Sequence, residues 1–174
     1  GGVLEGIRAE RQRLEAVKER SDKIIDTSTL SVHDLRQEIL ESFVRGAREE
    51  TLTVGLVSFG YKYGIPLDAD LMFDCRFLPN PHYVEALRPL PGDSPQVRKF
   101  VLGQPATQEL LRRLTGLLDY LLPQYLEEGK SHLTLALGCT GGKHRSVVLA
   151  DELATYLSTK GYAVNVRHRD IAKE

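Results

Sequence analysis

The residues richest in chemistry lie between Cys139 and Ser146, in the run Cys-Thr-Gly-Gly-Lys-His-Arg-Ser. An apolar stretch, Leu133 to Leu137, stops at Gly138 just before them, and a helical pattern starts at Val147 just after. A strand, a glycine-containing loop and a helix start in that order make an anion cradle. Successive backbone N–H groups turn inward, and the positive end of the helix dipole lies behind them. Lys143, His144 and Arg145 add more positive charge than a structural turn needs. Arg145 can grip a phosphate through its planar fork. The loop from Thr140 through Gly141 and Gly142 to Ser146 is therefore expected to hold a phosphate or a similar anion.

The same residues also fit the spacing C-x5-R-S, the phosphate loop of cysteine-dependent phosphatases. In that alternative Cys139 is the nucleophile, its thiolate favoured by the helix start and the cations, and Arg145 clamps the phosphoryl oxygens. Ser146 would hydrogen-bond the thiolate, and Asp74 would protonate the leaving group. Against it, Gly138 stands where a loop-orienting histidine is expected. The plainer reading of Cys139 is a small residue packed at the end of a core strand. Other candidates stay open in the same way. Lys62 is a phosphate contact or a solvated lysine, His82 a ligand contact or part of a proline-stiffened loop, and Asp74 a site residue or the structural partner of Arg76. No His, Cys or Asp cluster has metal-ligand spacing, so no metal is expected.

The whole molecule adds little attraction of its own. With 23 Lys and Arg against 24 Asp and Glu, the net charge is −1, so binding to nucleic acid or anionic lipid would need a local patch. No apolar run reaches membrane-spanning length and no signal pattern opens the chain. Cys75 and Cys139 do not read as a secreted disulfide framework, which makes the cytoplasm the expected compartment.

The elements that must position the loop can be traced along the chain. Residues 1–18 are charged and helix-like, with Leu4, Ile7, Leu14 and Val17 as a sparse stripe, and Lys23 to Ser28 is a short strand candidate. Ser31 with Asp34 forms a capping-box start, Leu35, Ile39, Leu40 and Phe43 a helical face, and Gly46 its stop. From Thr51, TLTVGLVSF is a buried strand, and Gly60 to Pro66 a loop. Leu71 to Phe73 is a strand ending at Asp74. Pro79, Pro81, Pro89, Pro91 and Pro95 predict an irregular segment. Leu110 to Leu122 is a helix stripe ending before Pro123. The cradle strand, a helix and a strand over Ala163 to Val166 then make a strand–helix–strand unit. The predicted fold is α/β, a mostly parallel sheet with flanking helices, and ligands in such sheets sit beyond the strands' C-terminal ends. Lys62, Asp74, Arg76 and the 139–146 loop are expected to converge there.

Several blocks together resemble a known family. GCTGGKHRS, SFGYKYGIPLDADLMFDCRFLPNPHY and the late RHR resemble the C-terminal domain of the RapZ/YvcJ family, over about Leu52 to Arg169. Residues 1–45, with ERQRLEAVKERSDKIIDTS, resemble the closing part of that family's N-terminal P-loop ATPase domain. The resemblance implies a remnant of that domain over 1–45 and a metabolite- and RNA-binding domain over 51–174. It implies ATP or GTP hydrolysis with magnesium through a G-x-x-x-x-G-K-S loop that this sequence lacks. No cofactor and no NTPase activity are therefore expected of the chain itself. It further implies sensing of a phosphorylated amino sugar such as glucosamine-6-phosphate or a nucleotide-linked relative, small RNA and a ribonuclease as partners, and a homo-oligomer. The sugar-phosphate pocket maps onto Lys62, Asp74, Arg76, His82 and Thr140 to Ser146. Arg167, His168 and Arg169 are the RNA candidates, although the family's basic tail is here diluted by Asp170 and Glu174.

Overall fold

A computed structural model describes residues 2–18, 20–21, 23–43 and 52–173. The chain divides into two compact units, Gly1–Ala47 and Arg48–Glu174. The expected boundaries at 45 and 51 and the helix stop at Gly46 lie outside the described residues.

The first unit holds two helices, α1 (Val3–Lys18) and α2 (Val32–Phe43). A reciprocal capping box starts α2. The Ser31 N–H donates to Asp34 Oδ2 at 2.9 Å, and the Asp34 N–H donates to Ser31 Oγ at 3.2 Å. Lys23 to Ser28, expected as a strand, is irregular and ends in a turn in which Ser28 N–H bonds Asp26. A strand needs a neighbour to satisfy its backbone, and none of the described residues from 2 to 43 forms one.

The second unit carries β1 (Thr53–Gly60), β2 (Leu71–Asp74), α3 (Pro95–Leu102), α4 (Pro105–Glu127), β3 (His132–Cys139), α5 (Arg145–Thr159) and β4 (Ala163–His168). The strands form one all-parallel sheet in the order β2-β3-β1-β4. This is the α/β architecture the pattern predicts. Alternation along the strands sends Val54 and Leu56 of β1 and Leu133, Leu135 and Leu137 of β3 into one core. They meet Leu114, Leu118 and Leu122 of α4 and Leu149, Leu153 and Leu157 of α5 there. Each such side chain stabilises the fold by about 1.5–3 kcal/mol on burial. Both long crossovers thus bring helices to the same core.

Proline behaves differently from the sequence pattern at two places. Pro95 opens a helix rather than breaking the chain, since the first helical position needs no N–H. Pro123 sits inside α4, which runs on to Glu127. An interior proline costs about 3 kcal/mol. Leu122 is fully buried and Tyr125 and Leu126 pack on the core, so continuing the stripe past Pro123 recovers that cost. Among the described residues no helix is long and apolar enough to cross a membrane.

Candidate functional site

The site forms where β1 and β3 end side by side, with Gly60 opposite Cys139. The loop after β3 lies directly on the end of β1. A Cβ at Gly60 would come within 2.5 Å of the Gly141 carbonyl carbon, and Gly142 adopts φ +73°, so both positions require glycine. Behind them the fully buried carboxylate of Asp170 accepts the Gly60 N–H at 2.8 Å. Burial opposes the ionisation of Asp170. Hydrogen bonds from Arg169, Lys173 and Gly60 override it and bring its pKa from 3.8 down to about 2.

A cavity of about 480 Å³ opens on this loop. Of the predicted residues it gathers Lys62, His82, Thr140, Gly141, Lys143, His144 and Arg145, together with Cys139. Asn80, Tyr83, Arg88 and Lys173 also line it, and the sequence reading did not name them. Asn80 and Tyr83 flank His82 in one short block, and Arg88 donates to the His82 carbonyl at 3.0 Å, so their neighbourhood was a usable signal. Lys173 carried none, because Asp170 draws it in across 2.8 Å. Among the described residues no aspartate or glutamate lines the cavity. From Thr140 to Ser146, no backbone N–H donates to an acceptor among the described residues. These are the free donors that an anion cradle requires.

Arg145 is 3 % exposed and plays two parts. Its Nη1 donates to the carbonyls of Arg76 (2.7 Å) and Leu78 (2.9 Å), and its Nη2 to Thr140 Oγ1 (3.3 Å). Its Nε is buried without a partner, as is Nε2 of His144. Burial lowers the His144 pKa, and the carbonyls of Leu90 and Arg88 partly oppose the shift. Cys139 and Ser146 are buried, with Sγ and Oγ 3.2 Å apart. Burial pushes the Cys75 thiol up to about 12, with Cys139 adding to the rise, so Cys75 is a packed, unreactive thiol.

Asp74 and Arg76 stand apart from the cavity's centre. They form an ion pair of 2.7 Å at the end of β2, and the Arg76 guanidinium lies 4.0 Å from the Tyr61 ring centroid. Arg76 lines a second cavity next to the first, which Arg145 shares, while Asp74 lines neither. The Arg76 hydrogen bond lowers the Asp74 pKa and keeps it a carboxylate, a poor donor for a leaving group. Gly142 and Ser146 shape the loop without lining either cavity. Each RNA candidate on and after β4 has an acidic partner. Arg167 pairs with Asp68 at 3.6 Å, His168 meets Asp151 at 3.2 Å and Ser58 at 2.9 Å, and Arg169 holds Asp170 at 2.6 Å. Among the described residues no group of three or more His, Cys, Asp or Glu side chains is placed to hold a metal.

Comparison with known families settles the lineage. Residues 52–172 match the RapZ C-terminal domain, and residues 1–48 the RapZ-like N-terminal domain. The chain belongs to the RapZ family. A relative from Desulforudis audaxviator, named nucleotide-binding protein, is 53 % identical over the whole chain and 59 % of its own length. Proteins of the same name from Moorella thermoacetica and Geobacter metallireducens are each 51 % identical over 99 % of the chain, and over 57 % and 61 % of their own lengths. The chain thus spans under two thirds of these relatives. Every cavity-lining residue except Lys173 falls within the part matched to the RapZ C-terminal domain.

Proposed function

We propose that this domain is a regulatory binding site for a phosphorylated sugar, or a nucleotide-linked one, and does no chemistry on it. One observation carries the reading: among the described residues five lysines and arginines and two histidines line the cavity and no carboxylate does, over a run of N–H groups without a partner there. Leaving such donors without an anion is unfavourable, and each charge-assisted hydrogen bond to one contributes about 1.5–3 kcal/mol. The phosphatase alternative has less support. Asp74 is held by Arg76 and lines neither cavity, and among the described residues no acid lines the first. Within this reading the protein is cytoplasmic and oligomeric. The small-RNA and ribonuclease partners, and ATP or GTP with magnesium, are proposals for a protein of the relatives' full length. The relatives' name puts nucleotides among the ligands to test.

The test is a melting-temperature titration with inorganic phosphate, glucosamine-6-phosphate and a uridine diphosphate sugar. A ligand that binds only the folded state raises Tm as its concentration passes Kd. The shift should disappear in Lys62→Ala/Lys143→Ala, whose side chains bear none of the loop's structural hydrogen bonds. A flat response to all three ligands refutes the site. Hydrolysis of para-nitrophenyl phosphate that is lost in Cys139→Ser would replace the sensor reading with the phosphatase.

A further inference from the structure

We infer that the site takes a nucleoside phosphate, free or sugar-linked, with its phosphate on the 140–146 loop and its base in the second cavity. This rests on the phosphate reading above and extends it to the rest of the ligand. The second cavity has a volume of about 500 Å³; Leu78, Pro79, Val84 and Phe100 build one apolar wall, and Arg76, Asn80, Thr140 and Arg145 make most of the remaining lining polar. It shares Thr140, Arg145 and Asn80 with the first. A small sugar phosphate held at the loop would leave this second space unused.

The two cavities are held in register by one side chain. The Nη1 of Arg145 binds the carbonyls of Arg76 and Leu78, so the segment that builds the apolar wall hangs from the same guanidinium that borders the loop. The separation between a bound phosphate and a group on that wall is preset before binding, which lowers the ordering cost of a two-part ligand. A flat heteroaromatic ring suits the wall. Phe100 contributes a planar aromatic ring, and the exposed Tyr83 ring lines both cavities. Asn80 places an amide at the boundary. Its Oδ1 accepts the His82 N–H at 3.2 Å, which leaves its NH2 group to donate to a base carbonyl or ring nitrogen.

Calorimetric titration of the full chain with ribose 5-phosphate, uridine 5′-monophosphate and a uridine diphosphate sugar separates the parts. The first two share phosphate and sugar and differ by the base. The base should tighten binding about tenfold or more. Val84→Gln, at a half-exposed position on the wall, should remove most of that gain and leave ribose 5-phosphate binding unchanged. Tighter binding of the diphosphate sugar than of the monophosphate identifies the sugar-linked form, and the reverse order the free nucleotide. Equal affinity for ribose 5-phosphate and the monophosphate overturns the inference and leaves the phosphate site standing. A gain that survives Val84→Gln overturns it too. No binding by any of the three, nor by inorganic phosphate, removes both.

Discussion

Two basic tripeptides, Lys143-His144-Arg145 after β3 and Arg167-His168-Arg169 at the end of β4, look alike in the sequence, yet they end in opposite electrostatic settings. After β3, Lys143 and Arg145 border a cavity that no described carboxylate lines, and the loop amides before them have no acceptors among the described residues. On and just after β4, each of the three side chains meets an acid: Asp68, Asp151 and Asp170 in turn. A positive residue recruits an anionic ligand only when the fold has not already neutralised it. In the proposed function Lys143 and Arg145 serve a ligand, whereas the second cluster fastens the edge strand and the chain that follows it.

That contrast can be broken at several points, of which Asp170 should give the largest effect. Asp170→Ala leaves Arg169 and the Gly60 N–H without their acceptor beneath the loop, and removal of one partner from a buried pair typically costs about 3–5 kcal/mol. Chemical denaturation should show this loss, and a change below about 1 kcal/mol would mean the carboxylate is not the prop described. The same group sets a pH limit. Its pKa is lower in the folded state, about 2 against 3.8, so its stabilisation is complete above about pH 4 and fades as pH falls towards 2. Asp170→Asn should flatten that part of the stability profile.

Arg145→Ala comes next. It strips the carbonyls of Arg76 and Leu78 of their donor and should cost about 1–3 kcal/mol as well as ligand binding. Loss of binding with full stability would show that the guanidinium serves the ligand alone. Lys143→Ala should leave Tm unchanged and weaken phosphate binding about tenfold, equivalent to one charge-assisted contact. Titration of phosphate into the variant checks this. Smallest of all, Arg167→Ala breaks only an exposed pair and should move stability by less than about 0.5 kcal/mol. If that variant instead abolished binding of a short single-stranded RNA at low salt, the second cluster would not be as neutralised as its acidic partners imply.

How far the chain could be read in advance depended on whether the signal was local. The parallel sheet, the crossover helices and the loop after β3 were legible, because period-2 and period-3.6 patterns and a strand-to-glycine-to-helix order leave marks on adjacent residues. The capping box at Ser31 and Asp34 was legible for the same reason. Pro123 misled because its cost is local while its compensation, the packing of Leu122 and Leu126 on the core, is not. The strand expected over Lys23 to Ser28 failed likewise, since a strand depends on a neighbour the segment itself does not name.

Local order along the chain therefore determined where an anion cradle would form and which residues would build it. Only the tertiary structure decided which charges stay free to serve it. Lys173 reached the cavity through Asp170, Arg145 took on the carbonyls of a distant loop, and Asp74 was drawn away by Arg76. The reason is physical: a charge's availability is set by what lies within a few ångströms of it, and those neighbours come from parts of the chain far apart in sequence.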